Sequence, residues 1–206
     1  MNNIKWLFFD LGATLINEDD AHKQRIINTV NLNSGITYDD LYNEMIKASR
    51  SFMQPYPTAV KALALSNISK YPKELERLYE DTYDILKYLH KKYKIGIIAN
   101  QLKGSEERIK NWEIDCFIDA VFASAELRIA KPDVRIFKYA LSETDASPQE
   151  SVMIGDRIDN DILPAKSLGM KTVWIKQGFG KYQEIISDSC NPDFVISNLN
   201  ELKTIL

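Results

Sequence analysis

Cysteine is scarce in this chain: Cys116 and Cys190 stand alone, in unrelated contexts and with no paired spacing. A small disulfide- or metal-stapled scaffold is thereby excluded, and two free thiols in a reducing cytoplasm are expected. Long apolar runs are missing as well, since no segment reaches the ~18 residues that suggest a membrane-spanning helix. The first apolar run, Leu7-Phe8-Phe9, stops at Asp10, too early for a signal sequence or a span, so a soluble protein without a membrane partner is expected. Nor does charge of one sign prevail. Lys and Arg number 26 against 29 Asp and Glu, a net charge of −3 with both signs interspersed. No basic stripe marks a nucleic-acid surface, and there is no acidic tail, internal repeat or low-complexity tract.

What is present is core-forming material. The 206 residues are 45% apolar and 10% aromatic. A chain of this size buries about 70% of its unfolded surface, which excludes a disordered chain. At about 150 residues per domain the length amounts to one and a half domains, which suits one domain carrying an insertion.

Short apolar runs recur along the chain at Trp6 to Phe9, Ile95 to Ala99, Ala120 to Ala123, Val152 to Ile154, Thr172 to Ile175 and Phe194 to Ile196. Such runs fit strands buried on both faces, and helical stretches separate them. The pattern predicts an α/β fold, a Rossmann-like parallel sheet with helices on both faces. One interval breaks the rhythm, because more than 80 residues lie between the first and second runs. It holds no convincing strand. Thr37-Tyr38-Asp39-Asp40 reads as a capping box opening a helix to about Phe52, and Asp81 as the cap of a helix running to Tyr93. Residues 17–77 are therefore expected to form a small all-helical cap domain, with 1–16 and 78–206 as the core domain. Within that insertion Tyr38, Tyr42 and Phe52 fall at helical spacing and are expected to pack together. His22 and His90 fall in predicted helices far from the motifs and read as exposed surface or minor cap contacts, and Gly178-Phe179-Gly180 as a flexible turn near the site edge.

In an open parallel sheet, ligands bind beyond the carboxyl ends of the strands. Asp10, Asn100, Asp156 and Asp161 stand there, with Lys131 after the third run. One aspartate in such a place has a plain reading as turn former or helix cap. Several acids and a lysine on one edge suggest more, because carboxylates beside a low-dielectric core usually share a cation. Oxygen-only ligands on few carboxylates favour Mg2+, which keeps several waters and often bridges to phosphate.

These motifs resemble those of the haloacid dehalogenase-like (HAD) hydrolase superfamily. Asp10-Leu11-Gly12-Ala13-Thr14 follows an apolar strand, as in that family's first motif, and Ala99-Asn100 ends the second strand. Lys131-Pro132-Asp133-Val134-Arg135-Ile136-Phe137 matches the third motif, and Gly155-Asp156 through Asp161 the fourth. The resemblance implies a phosphatase of a small phosphorylated metabolite, with Asp10 as nucleophile and an aspartyl-phosphate intermediate. It implies Mg2+ held by Asp10, Asp156 and the Gly12 backbone carbonyl, with Asp161 on the ion or its waters. Lys131 would offset charge, Thr14 and Asn100 would contact phosphate, and the helical insertion would close over the site. A monomer or a homodimer fits equally.

Two positions depart from the family pattern. Gly12 stands where phosphatases of the family carry an acid/base aspartate, help typically worth about 10² to 10⁴ in rate. Ala99 lacks a phosphate-binding hydroxyl, a loss of roughly 1.5 to 3 kcal/mol. Other readings therefore remain: a weakly active or non-catalytic binding domain, a 2-haloacid dehalogenase, or other phosphoryl chemistry. The retained Asp156 argues against the dehalogenase, whose fourth motif usually loses that acid.

Overall fold

Each of the six apolar runs forms a strand, and the six pair in parallel. The computed structural model describes residues 3–206. From β1 (Trp6–Phe9) the chain passes through β2 (Ile16–Asn17) into three helices, α1 (Asp19–Asn31), α2 (Tyr38–Arg50) and α3 (Pro55–Ala62). It returns through β3 (Arg77–Leu78) and α4 (Thr82–Leu89). Strands and helices then alternate: β4 (Lys94–Ala99), α5 (Ser105–Asn111), β5 (Ala120–Ala123), the short α6 (Ser124–Leu127), α7 (Val134–Glu143) and β6 (Ser151–Gly155). The chain finishes with α8 (Leu163–Ser167), β7 (Lys171–Ile175), β8 (Phe194–Ile196) and α9 (Leu202–Ile205).

Strand order in the sheet is β5-β4-β1-β6-β7-β8. Side chains alternate across it, as the pleat requires. Leu7, Phe9, Ile97 and Ile154 pack with Ile85, Ile109 and Leu202 from α4, α5 and α9 on one face. Phe8, Ile98 and Met153 pack with Ile136, Phe137 and Ala165 from α7 and α8 on the other. The fold is thus a Rossmann-like α/β sandwich, its central strands largely apolar because neither face meets water.

Helices α1, α2 and α3 enclose a smaller cluster of Ile26, Leu41, Met45, Tyr56 and Ala59. At their foot β2 and β3 pair antiparallel, Ile16 with Leu78 and Asn17 with Arg77, so an interval expected to hold no strand contains a two-residue ribbon. Helix α2 starts where the capping box places it. Thr37 Oγ1 accepts from the Asp40 amide at 3.2 Å, and Asp40 Oδ2 accepts from the Thr37 amide at 2.8 Å.

Two expectations about side chains need correction. Tyr38 and Tyr42 do pack on the helical cluster, but Phe52 packs against Ile158, Ile162, Trp174 and Cys190 of the sheet domain. It follows the end of α2 in a left-handed conformation (φ 58°), which turns it away from the helix face that spacing assigned it. Asp81 precedes α4 without capping it; its carboxylate accepts instead from the Asn200 amide at 3.2 Å.

Candidate active site

The chain runs outward from β1 to β4 and β5, then returns to β6 on the other side of β1. Strand order therefore reverses between β1 and β6, where the carboxyl ends diverge and leave a crevice. Asp10 follows β1 and Asp156 follows β6. The Asp10 amide donates to Ile154 O at 2.9 Å, extending the ladder one residue past the strand and setting where the carboxylate emerges. Carboxylate oxygens of Asp10, Asp156 and Asp161 all lie within 4.8 Å of one another.

Asp161 reaches this cluster from beneath. It belongs to a single π-helical turn, Ile158–Ile162, which bulges the backbone and aims the side chain under the end of β6. Gly155 makes the room, since a Cβ there would lie 2.4 Å from the Asp161 carboxylate carbon. Asp161 is fully buried, and both of its oxygens are engaged, with Lys131 Nζ at 2.5 Å and the Arg157 amide at 3.0 Å. Burial raises its pKa, with Lys131 opposing the rise, to about 6.

Lys131 bridges the cluster, donating to Asp10 Oδ1 at 2.7 Å as well as to Asp161. Burial disfavours its charge, but the two carboxylates outweigh that, and its pKa stays above the ordinary lysine value. Asn100 sets its position. The Asn100 amide accepts from the Lys131 backbone N–H and donates to its carbonyl, both at 2.8 Å. Its side chain thus clamps the lysine loop while Asn100 lines the same cavity as Asp10 and Lys131.

The donor set fits a hard divalent cation. One ammonium stands against three carboxylates, and no hydrogen-bond donor among the described residues reaches the Asp156 carboxylate. That group is almost wholly buried. Its pKa lies well above the ordinary aspartate value because of burial first, then the Asp161 and Asp10 charges. An all-oxygen cluster with a donor-free buried acid is the environment a magnesium-sized ion relieves.

Above the cluster lies a cavity of about 320 Å³. The strand ends and the loops after them supply Asp10, Gly12, Asn100, Lys131 and Asp156, and the inserted segment supplies Glu18, His22, Arg25 and Tyr56. His22, expected far from the motifs, is thus a wall residue, packed edge-on against Tyr71 and Phe179. No linear spacing signals this, because the ribbon of β2 and β3 folds the helices back over the strand ends. Thr14 does not reach the cavity. It is fully buried, and its hydroxyl has no partner. Ala99 is equally buried, in the sheet core.

The Gly178-Phe179-Gly180 segment is built into the site and is no loose turn. Phe179 inserts among the helices beside His22 and Tyr42, and its carbonyl accepts from Ser49 Oγ at 2.6 Å. Gly180 lies against Asp156 so closely that a Cβ would stand 2.1 Å from the Asp156 carbonyl oxygen.

Acids and a lysine at the carboxyl edge of a parallel sheet, roofed by helices inserted after the first strand, define a capped α/β enzyme. The chain belongs to the haloacid dehalogenase-like hydrolase family, whose model matches residues 7–175. It is 31% identical to a glyceraldehyde 3-phosphate phosphatase of Pyrococcus furiosus, an alignment covering 100% of this chain and 94% of that protein. A pyrophosphatase PpaX of Anoxybacillus flavithermus is 26% identical, with 99% and 97% covered. Among solved structures, a HAD phosphatase from Thermococcus onnurineus superposes with a TM-score of 0.68 at 25% identity, covering 98% of this chain and 97% of that one. The chain is accordingly a hydrolase, and those two curated relatives are phosphatases.

Proposed function

We infer that this protein is a Mg2+-dependent phosphatase of a small phosphorylated metabolite, with residues 17–77 acting as its cap. The observation that carries the reading is the Asp10 carboxylate, oriented by Lys131 beside the donor-free acid Asp156 at the base of a small cavity. Asp10 attacks phosphorus, the bond to the leaving oxygen breaks, and an aspartyl-phosphate forms; water then attacks that phosphorus and restores the carboxylate. Asp10, Asp156 and the Gly12 carbonyl would hold the ion, which neutralises phosphate charge when bound. Lys131 offsets charge on the nucleophile and the phosphoryl oxygens. Asp161 and Asn100 act through Lys131, one pairing with its ammonium and the other fixing its backbone.

The cavity suits a small ester. Arg25, whose guanidinium lies 3.5 Å over the Tyr56 ring, offers a cation from the cap side. The relatives' names make glyceraldehyde 3-phosphate the first ester to try. Phosphate release from a panel of esters, with Mg2+ or with chelator, tests the reading. Turnover that needs Mg2+ and vanishes in Asp10→Asn is expected. Metal-independent halide release from a 2-haloacid would instead establish a dehalogenase, and Mg2+ binding without turnover a binding domain.

A further inference from the structure

Gly12 leaves no side chain beside the nucleophile, yet the space is not vacant. A Cβ built on Gly12 would stand 2.7 Å from Glu18 Oε1 and 3.1 Å from both its Cδ and Oε2. The carboxylate of a residue six positions later thus sits where a side chain at position 12 would begin. Glu18 lies at the foot of the helical insertion and lines the same cavity as Asp10 and Asp156.

Among the described residues no hydrogen bond holds this carboxylate. Glu18 occupies the position preceding α1, but its side chain makes no capping hydrogen bond. Its charged neighbour on that helix is His22, whose Nε2 stands 3.8 Å from Oε2, beyond hydrogen-bond reach. An acid left 21% exposed, with only this long pairing to His22 and lining the same cavity as Asp10, is available for chemistry.

Phosphoester hydrolysis through Asp10 needs a proton for the leaving oxygen and a base for water. The other ionisable groups around the cavity are committed or unsuited. Asp10 is the nucleophile, Lys131 is shared between two carboxylates, and Asp156 belongs to the cation. Arg25 and Arg157 do not release protons in proteins. The three atoms nearest a Gly12 Cβ all belong to Glu18 and none to His22. We propose that Glu18 is the acid–base residue of this enzyme, supplied by the first residue before α1 in place of a side chain at position 12.

The assignment rests on the phosphatase reading. As Asp10 Oδ bonds to phosphorus, the ester P–O bond breaks, its electron pair stays on oxygen, and that oxygen takes the Glu18 proton and departs as an alcohol. Glu18, now a carboxylate, removes a proton from water. The water oxygen bonds to phosphorus and the P–O bond to Asp10 breaks. Inorganic phosphate, free Asp10 and protonated Glu18 result.

Leaving-group dependence in Glu18→Gln tests this. With an alkyl phosphate, whose leaving oxygen needs a proton, kcat should fall by about 10² to 10⁴. With 2,4-dinitrophenyl phosphate, a good leaving group, release of the phenol in a first turnover should be much less affected. The phosphoryl adduct on Asp10 should then accumulate, visible as intact-protein mass, because the water step has lost its base. Circular dichroism and melting should match the wild type. Adding Gly12→Asp to Glu18→Ala should restore turnover of the alkyl ester at least tenfold over Glu18→Ala alone. Full alkyl-ester turnover by Glu18→Gln would overturn the assignment and leave the phosphatase reading standing, as would equal losses on both esters without adduct. A wild-type chain that forms no adduct and turns over no ester would overturn both.

Discussion

Asp156 shows the conflict a single residue can carry. Its carboxylate is buried against Asp10 and Asp161, receives no hydrogen bond among the described residues, and is held above its ordinary pKa by burial and then by those two charges. In the metal-free chain it is a destabilising buried charge, which a bound cation would relieve. Asp156→Asn should therefore stabilise the metal-free protein at neutral pH, since it removes a buried charge set against two others. Mg2+ at a hundredfold excess over its dissociation constant should stabilise the wild type by about 2.7 kcal/mol and Asp156→Asn hardly at all. Thermal melts with and without chelator read both effects. A wild-type melting point indifferent to Mg2+ would remove the cation from this site.

The residue scale also divides what spacing reveals from what it hides. Asp10, Lys131 and Asp156 meet because each follows a strand of one parallel sheet, and alternation of strand and helix delivers such residues to one edge. Thr14 and Asn100 share that sequence context but take different places, since Asn100 lines the cavity and Thr14 does not. Thr14 turns into the core, and Asn100 spends its amide on the Lys131 backbone. Glu18 and His22 carry no motif, so their place at the cavity emerges only when the chain has folded back.

Among the elements, α2 is the one most fully written in local sequence. Its reciprocal bonds between Thr37 and Asp40 satisfy amides that a helix start leaves unpaired. Tyr42 and Met45 then project toward the core of the insertion. Thr37→Ala should destabilise the protein by about 1 kcal/mol, read by urea denaturation, with little change in catalysis because the cap lies far from the cavity lining. Other element boundaries answer to long-range contacts. The ribbon of β2 and β3 pairs residues some sixty positions apart, and two residues per strand are too few for a pattern of alternation. Helix α8 begins after a π-helical turn whose cause is the packing of Asp161 under Gly155. A hydrophobic repeat contains no sign of that.

For the molecule as a whole, the segment after β7 joins the two layers of the site. Phe179 packs with Tyr42, Tyr182 and His22, the Tyr42 and Tyr182 hydroxyls meet at 2.8 Å, and Gly180 presses on Asp156. One short stretch thus holds the insertion from above and a carboxylate from below. Phe179→Ala should cost about 2 kcal/mol, less than a fully buried phenylalanine because the ring is only partly enclosed. It should also raise KM for a phosphate ester more than it lowers kcat, as the helical wall loosens while Asp10 and Lys131 keep their pairing. Steady-state kinetics with Asp10→Asn as the inactive reference separates these parameters. A fall in kcat at constant KM would mean that the segment acts chiefly on Asp156.

The sequence by itself determined the parallel α/β sheet, its insertion after β1, and the array of acids and a lysine on one edge. These follow from local rules, since short apolar runs bury as strands and strand ends share an edge. Scarce cysteine and balanced charge narrowed the class without locating a site. Tertiary structure alone decided which of those residues face the cavity, which clamp their neighbours, and what stands over Gly12. Such facts depend on atoms brought within a few ångströms by a chain that leaves the sheet and returns, and linear spacing does not encode that closure.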